Sequence, residues 1–180
     1  MRKAAFLCAA VIIGIRLAAA HANPSPQYAI KAAYLTKFIP FITWPDGTFP
    51  SPAAPVNICL LGSDPFAGKL DQDAATRKAG ERPIVVRHLA EPDAQASCQM
   101  LFVPAGNDPA LVQAALDAMK GKPVVTVTDS GLTAHGVISF VVDAHHVRFD
   151  IDDAAAARDG LVISSKLLGL AHSVRRRGQP

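Results

Sequence analysis

Cysteine is scarce in this chain, and the few cysteines lie far apart. The 180 residues include three, and none follows Cys98. No pair has the short spacing of a zinc site, and the histidines lie in separate segments without a cysteine or carboxylate at ligand spacing. We therefore expect no metal site and no cofactor.

An excess of one charge is also missing once the first 22 residues are set aside. The 18 Lys and Arg of the whole chain fall to 15 when Arg2, Lys3 and Arg16 are removed, which equals the 15 Asp and Glu. Nucleic-acid binding requires a basic surface for the phosphates, so we expect no nucleic-acid partner. The one basic cluster, Arg175 to Arg177, is predicted to be the solvated end of a helix.

Catalytic motifs are missing as well. The segment from Gly62 to Leu70 has the outline of a phosphate-binding loop, but five residues separate its glycines where four are required. Leu70 stands where that loop needs a hydroxyl, and no serine lies in a Gly-x-Ser-x-Gly context. We expect no enzyme and no catalytic residue; a hydrolase assembled from distant residues is the alternative.

The first 22 residues predict a cleavable secretory signal. Two basic residues precede an apolar run over residues 4–15, and an Ala-His-Ala site follows at residues 20–22. The run is shorter than the roughly 20 residues that span a bilayer, so we expect no direct membrane insertion. The alternative is a buried N-terminal helix. The predicted organisation is a signal peptide at 1–22 and a single exported domain at 23–180.

Export would place the remaining cysteines in an oxidising compartment, where disulfides form. Cys8 would leave with the signal, which leaves Cys59 and Cys98 as a pair in an oxidising compartment. Each adjoins an apolar run that predicts a strand, so strand ends can bring the two sulfurs together. We expect a Cys59–Cys98 disulfide, with free buried thiols as the alternative.

Apolar segments of alternating type predict the fold. Apolar side chains recur at helical spacing within residues 28–44, and Pro40 is expected to end or kink the helix. Short β-branched or apolar runs, of which residues 124–128 are one, predict buried strands. Strands interleaved with helices favour a three-layer α/β/α sandwich with a mostly parallel sheet.

The C-terminal third of the chain predicts a hairpin and then helices. Residues 137–142 and 146–151 alternate as two strands around a turn, so we expect a C-terminal antiparallel hairpin. A final helix is predicted to carry Ile163, Leu167, Leu170 and Val174 on one apolar stripe.

Four segments in chain order carry a resemblance to a known family. They are Tyr28 to Pro45, with its Lys-Ala-Ala-Tyr-Leu run; Ile58 to Phe66; Val124 to Asp129; and Val147 to Ala171. Together they resemble the YfiR-like family of periplasmic proteins over essentially the whole chain after residue 22.

That resemblance implies a three-layer α/β protein that acts by binding. The family's namesake represses an inner-membrane diguanylate cyclase through its periplasmic portion, which lowers cyclic di-GMP signalling and biofilm formation. The expected partner here is therefore the periplasmic domain of such a cyclase or of a similar sensor. A periplasmic small-molecule binding protein, with its site near Gly62-Ser63-Asp64, is the alternative.

Five aromatic residues around the first predicted helix are the candidate partner-binding residues. They lie within seventeen positions and are Tyr28, Tyr34, Phe38, Phe41 and Trp44. Aromatic anchors often dominate the binding energy of an interface, and Tyr and Trp tolerate a half-wet setting. Packing on the sheet is the alternative for each, and Tyr34 and Phe41 are expected to be the most exposed. The same face would also serve a homodimer.

Overall fold

A computed structural model describes residues 23–178, so the predicted signal peptide lies outside the described residues. The helices in this range are α1 (Pro26–Phe38), α2 (Lys69–Ala75), α3 (Pro109–Met119), α4 (Asp153–Arg158) and α5 (Ser165–Leu168). The strands are β1 (Ile42–Thr43), β2 (Val56–Leu61), β3 (Lys78–Ala79), β4 (Arg82–Leu89), β5 (Met100–Val103), β6 (Val125–Thr128), β7 (Ile138–Asp143), β8 (His146–Asp152), β9 (Val162–Ile163) and β10 (Ser173–Arg175). None of the helices between residues 23 and 178 is both long and apolar enough to cross a bilayer.

Eight of the strands form one sheet in the order β10-β8-β7-β6-β5-β2-β4-β3. Its neighbours pair in parallel except at the β7–β8 hairpin and at β3–β4. A second small sheet pairs β1 antiparallel with β9. The predicted mostly parallel α/β fold with a C-terminal antiparallel hairpin is confirmed.

The two faces of the sheet belong to different hydrophobic clusters, and β2 shows the division. Ile58 and Leu60 pack in the larger cluster with residues of α1 and α2. Cys59 and Leu61 face the other way, into a smaller cluster with α3. This alternation follows from the two-residue repeat of a strand, and it explains why β2 is buried throughout.

The local sequence fixes where α1 starts and stops. The Ser25 side chain accepts a hydrogen bond from the backbone N–H of Tyr28 at 3.5 Å, and Pro26 opens the first turn. Pro40 cannot donate to a continuing helix, and a short 3-10 turn over Ile39–Phe41 leads the chain into β1. The predicted break at Pro40 is confirmed.

The predicted final helix is wrong. Ile163 lies in β9, and only four residues around Leu167 are helical. Beyond Leu170 the His172 N–H donates to the Phe149 carbonyl at 2.8 Å, and β10 then pairs in parallel with β8. The same four apolar residues are compatible with a long helix or with a short helical turn followed by an edge strand. The strand forms because its backbone can hydrogen-bond to the open edge of β8.

The basic cluster at the C-terminus is not the solvated end of a helix. Arg175 is in β10 and forms an ion pair with Asp152. The Arg177 guanidinium donates to both carboxylate oxygens of Asp153, at 2.9 and 3.2 Å. These aspartates end β8 and open α4, so the cluster holds the last strand against its neighbour.

Candidate functional site

The five aromatic candidates divide into core and half-buried residues. Phe38 is only 1% exposed, and its ring packs on Phe149 with centroids 4.9 Å apart. Tyr34 is half-buried and stacks on Phe38. Phe38 is therefore a core residue on which the half-buried Tyr34 ring packs.

Trp44 and Phe41 lie where α1 runs into the small sheet. The Trp44 indole Nε1 donates to the Gln99 carbonyl at 3.3 Å, and its ring meets Phe49 edge to face at 5.9 Å. Phe41 is half-buried, and its carbonyl accepts from the Ser164 N–H at 2.9 Å. Both residues are half-buried; the Trp44 ring is held through its indole N–H, and Phe41 through its backbone carbonyl.

Three exposed apolar side chains extend this region. Ile30 is one turn before Tyr34 on the outer face of α1. Val162 is 52% exposed and pairs with Thr43, and Leu170 is 69% exposed next to β10. We call this the apolar surface, and its members are Ile30, Tyr34, Phe41, Trp44, Val162 and Leu170.

Two contacts connect Tyr34 and the segment after Leu170 to the same strand, β8. The Tyr34 ring centroid lies 5.5 Å from that of Phe149. The Phe149 carbonyl also accepts a hydrogen bond from the N–H of His172, two residues after Leu170. Sequence reasoning missed Leu170 as a surface residue because it assigned that side chain to the apolar stripe of a final helix. A glycine directly before it, Gly169, was the available signal that the helix ends there.

A buried polar cluster fixes α1 to the end of β6. The Lys31 ammonium lies 2.5 Å from Asp129 Oδ1, and the two side chains are 2% and 0% exposed. Tyr28 donates its hydroxyl to Asp129 Oδ2 at 2.7 Å, and the Ala105 N–H donates to the same oxygen at 3.2 Å. Burial first, and then Asp129, hold the pKa of the Tyr28 phenol well above its usual range.

This cluster lies where open α/β sheets bind ligands, at the carboxyl end of a parallel strand. Here that position is filled by the protein itself, because Lys31 reaches it from α1 and also bonds the Ser130 hydroxyl at 3.1 Å. Both Asp129 oxygens accept hydrogen bonds, and its charge is paired with the Lys31 ammonium, which is the pattern of a structural network. Sequence reasoning missed it, although a single lysine among apolar helix residues and an aspartate directly after a buried strand were visible.

The Gly62-Ser63-Asp64 segment also serves the protein's own backbone. Both Asp64 oxygens are used, one by the Phe66 N–H and one by the Gly68 N–H, each at 2.8 Å. A side chain at Gly62 would come 2.5 Å from Asn107 Oδ1, and its backbone has a left-handed φ of 73°. The predicted ligand position is thus packed against the loop after β5.

A cleft of about 500 Å³ lies between the C-terminal half of α3 and β10. Burial would raise the pKa of the Asp152 carboxyl, but hydrogen bonds from Arg175 and the Ala155 N–H outweigh it and hold that pKa below its usual value. Burial raises the pKa of Asp159, whose Oδ1 accepts from the Gly121 N–H at 2.8 Å. Cations and carboxylates alternate in this cleft, so it has no clear preference for one ligand charge.

The two buried cysteines are joined by a disulfide beneath α3. Their Cα atoms are 5.7 Å apart, and the bridge links the middle of β2 to the residues just before β5. Cys59 is therefore inside its strand and not at the strand end that the sequence suggested. Within residues 23–178, no group of three or more His, Cys, Asp and Glu could hold a metal ion.

The fold and these contacts define an α/β protein with a partly apolar outer surface and a polar network used for structure. A family model described as YfiR/HmsC-like matches residues 28–172, from the first turns of α1 to the residue before β10. The chain belongs to the YfiR/HmsC-like family, which confirms the resemblance found in the sequence. A search of curated proteins found no match to this chain.

Proposed function

We propose that this chain is a periplasmic protein that binds and represses the periplasmic domain of an inner-membrane diguanylate cyclase or a similar sensor. Repression lowers cyclic di-GMP signalling. The chain acts by binding and not by catalysis, and it reaches the periplasm through the predicted signal peptide. Membership of the YfiR/HmsC-like family supports this function, because the family is regulatory.

The observation that carries the proposal is the apolar surface. Its most exposed members are Leu170 at 69% and Val162 at 52%, and Val162 pairs with Thr43, the residue before Trp44. Exposed apolar side chains near half-buried aromatic residues are typical of protein-binding sites, and half-buried Tyr and Trp are frequent anchors. Lys37 and Lys166 are exposed nearby on α1 and α5, so a partner with an apolar centre and acidic margins would be complementary.

Repression requires the apolar surface to bind one state of the partner more tightly than the other. A binder shifts an equilibrium only by its differential affinity, and about 5.5 kcal/mol moves a two-state population from 1:99 to 99:1. The rigid connection of α1 to the sheet through Lys31 and Asp129 presents the aromatic residues in one arrangement. A preorganised surface loses less entropy on binding.

The test compares two charge insertions. Leu170→Glu places a carboxylate in the apolar surface, whereas Val85→Glu places one at an exposed valine of β4 on the other face of the sheet. The tagged protein is purified from detergent-solubilised membranes, its partners are identified by mass spectrometry, and cellular cyclic di-GMP is measured. We expect a membrane diguanylate cyclase to co-purify with wild type and with Val85→Glu. With Leu170→Glu the cyclase should no longer co-purify, and cellular cyclic di-GMP should rise.

Two outcomes would overturn the proposal. One is that deletion of the protein leaves cyclic di-GMP unchanged and no membrane sensor co-purifies. The other is that Leu170→Glu only converts a dimer to a monomer by light scattering, without any effect on cyclic di-GMP. In that second case the apolar surface serves self-association.

A further inference from the structure

A groove of about 300 Å³ opens beside β1, at the amino ends of β2 and β4. The buried side chains of Ile39, Ile42 and Val56 form its floor. The rings of Trp44 and Phe49 form one wall. Its size is at the lower end of the range for small-molecule sites, roughly 300–1,000 Å³, so it suits a single ring or a short chain.

Arg82 is the one charged side chain that lines this groove. Its guanidinium lies 3.9 Å from the centroid of the Phe49 ring. Nη1 donates to the carbonyls of Ser51 and Ala54, at 2.6 and 3.0 Å. Stacking and these two bonds hold the planar group in place before any ligand arrives.

Several N–H donors of the Arg82 guanidinium have no acceptor among residues 23–178. An arginine offers five N–H groups, and only those on Nη1 have an acceptor within the part of the chain that the structure describes. No carboxylate in residues 23–178 forms an ion pair with Arg82, although paired carboxylates are the usual partners of half-buried arginines. The groove therefore combines an apolar floor, aromatic walls and an unpaired, immobilised cation.

We propose that this groove binds a small apolar carboxylate. Its hydrocarbon part lies against Trp44 and Phe49, and its carboxylate accepts from Arg82. A strongly hydrated anion such as phosphate would lose its water against an apolar floor, and a neutral apolar molecule would leave the guanidinium without a partner. This site does not depend on the proposed repression, because its test measures ligand binding directly.

Trp44 reports on the groove because it is the only tryptophan of the chain. Benzoate is the probe, and benzyl alcohol is its neutral counterpart of similar size. We expect benzoate to change Trp44 fluorescence in a saturable way, with matching heat in titration calorimetry. Benzyl alcohol should bind at least about tenfold more weakly, since the charge-assisted hydrogen bonds are lost.

Variants separate the two halves of the site. Ala79→Leu fills the groove from β3 and leaves Arg82 intact, and it should abolish benzoate binding. Arg82→Gln should weaken binding at least about tenfold. Arg87→Gln removes the same charge from an exposed position on the opposite face of β4, and it should bind like wild type.

The proposal fails if benzoate and benzyl alcohol bind equally, if Ala79→Leu binds like wild type, or if Trp44 fluorescence shows no saturable response. It also fails if Arg82→Gln and Arg87→Gln bind alike. Arg82 additionally holds the loop at Ser51 and Ala54, so circular dichroism checks each variant for folding. If Arg82→Gln does not fold, Ala79→Leu and the neutral probe decide the question.

Discussion

Lys31 and Asp129 are 98 positions apart in the chain, yet they form a 2.5 Å ion pair with almost no exposure to solvent. Lys31 is on α1 and Asp129 directly follows β6, so one contact joins the N-terminal helix to the middle of the sheet. A buried pair of this kind is weak evidence for net stability, but removing one partner leaves an uncompensated charge.

Lys31→Met should therefore destabilise the protein strongly. The Asp129 carboxylate keeps its bonds from Tyr28 and Ala105 but loses its one ion-pair partner among residues 23–178, at a cost of about 3 kcal/mol in the free energy of unfolding. Urea unfolding measures the loss. Lys37→Met, at an exposed position of the same helix, is the control and should change little. The double variant Lys31→Met with Asp129→Leu should be more stable than Lys31→Met alone; equal stability would argue against a buried charge as the cause.

Removal of the disulfide should also lower stability. The bridge joins residues 39 positions apart, and in the chain-entropy model a loop of that length contributes about 4 kcal/mol. Urea unfolding of Cys59→Ala with Cys98→Ala tests this against wild type. Alkylation of native protein without reductant gives an independent check, since labelling of both sulfurs would show that the native protein has no bridge.

Gly136→Ala should disturb the sheet. A Cβ at this position would lie 2.5 Å from the backbone oxygen of Thr126, which cannot move without shifting β6. We expect a loss of about 1–3 kcal/mol, as for other overpacked positions. Gly169→Ala is the comparison, because its Cβ would meet its nearest neighbour, the Ser165 carbonyl oxygen, at 3.3 Å. A thermal melt that ranks Gly169→Ala as the more damaging change would contradict this account.

The contribution of Asp152 should depend on pH. Its folded-state pKa is held below its usual value, so its stabilisation is present above the unfolded pKa of about 3.9 and is lost as pH falls through the folded pKa. Asp152→Asn keeps a side chain able to cap α4 but removes the charge that pairs with Arg175. The stability gap between the variant and wild type should narrow on acidification.

Two comparisons sharpen that measurement. High salt at neutral pH should reduce the same gap, because both side chains are partly exposed and their attraction is screened. Asp46→Asn, at an exposed aspartate in the turn after Trp44, should show neither trend. A gap for Asp152→Asn that stays constant from neutral to acidic pH would assign its role to capping alone.

Local patterns in the sequence predicted most of the fold but not its long-range polar contacts. Pro40, the β-branched run before Asp129 and the turn at Ala144 each act on their immediate neighbours, so their effects are visible in the sequence. The Lys31–Asp129 pair depends on where α1 crosses the sheet, which no local pattern encodes. The same limit explains the C-terminal error, since β10 forms because the edge of β8 is available.

The partner-binding role of the aromatic residues from Tyr28 to Trp44 stays a prediction. Tertiary contacts, which the sequence does not encode locally, show that Phe38 is part of the core. Leu170 became visible as an exposed residue once the helix around it proved to be four residues long.

The strand β10 has a practical consequence for handling this protein. Because it covers the edge of β8 and is held by Arg175 and Arg177, shortening the chain before Ser173 would bare the backbone N–H and C=O groups of β8. A bare strand edge recruits strands from other molecules. Expression designs should keep this segment intact and place the purification tag on the amino side of α1, because no strand of the main sheet lies there.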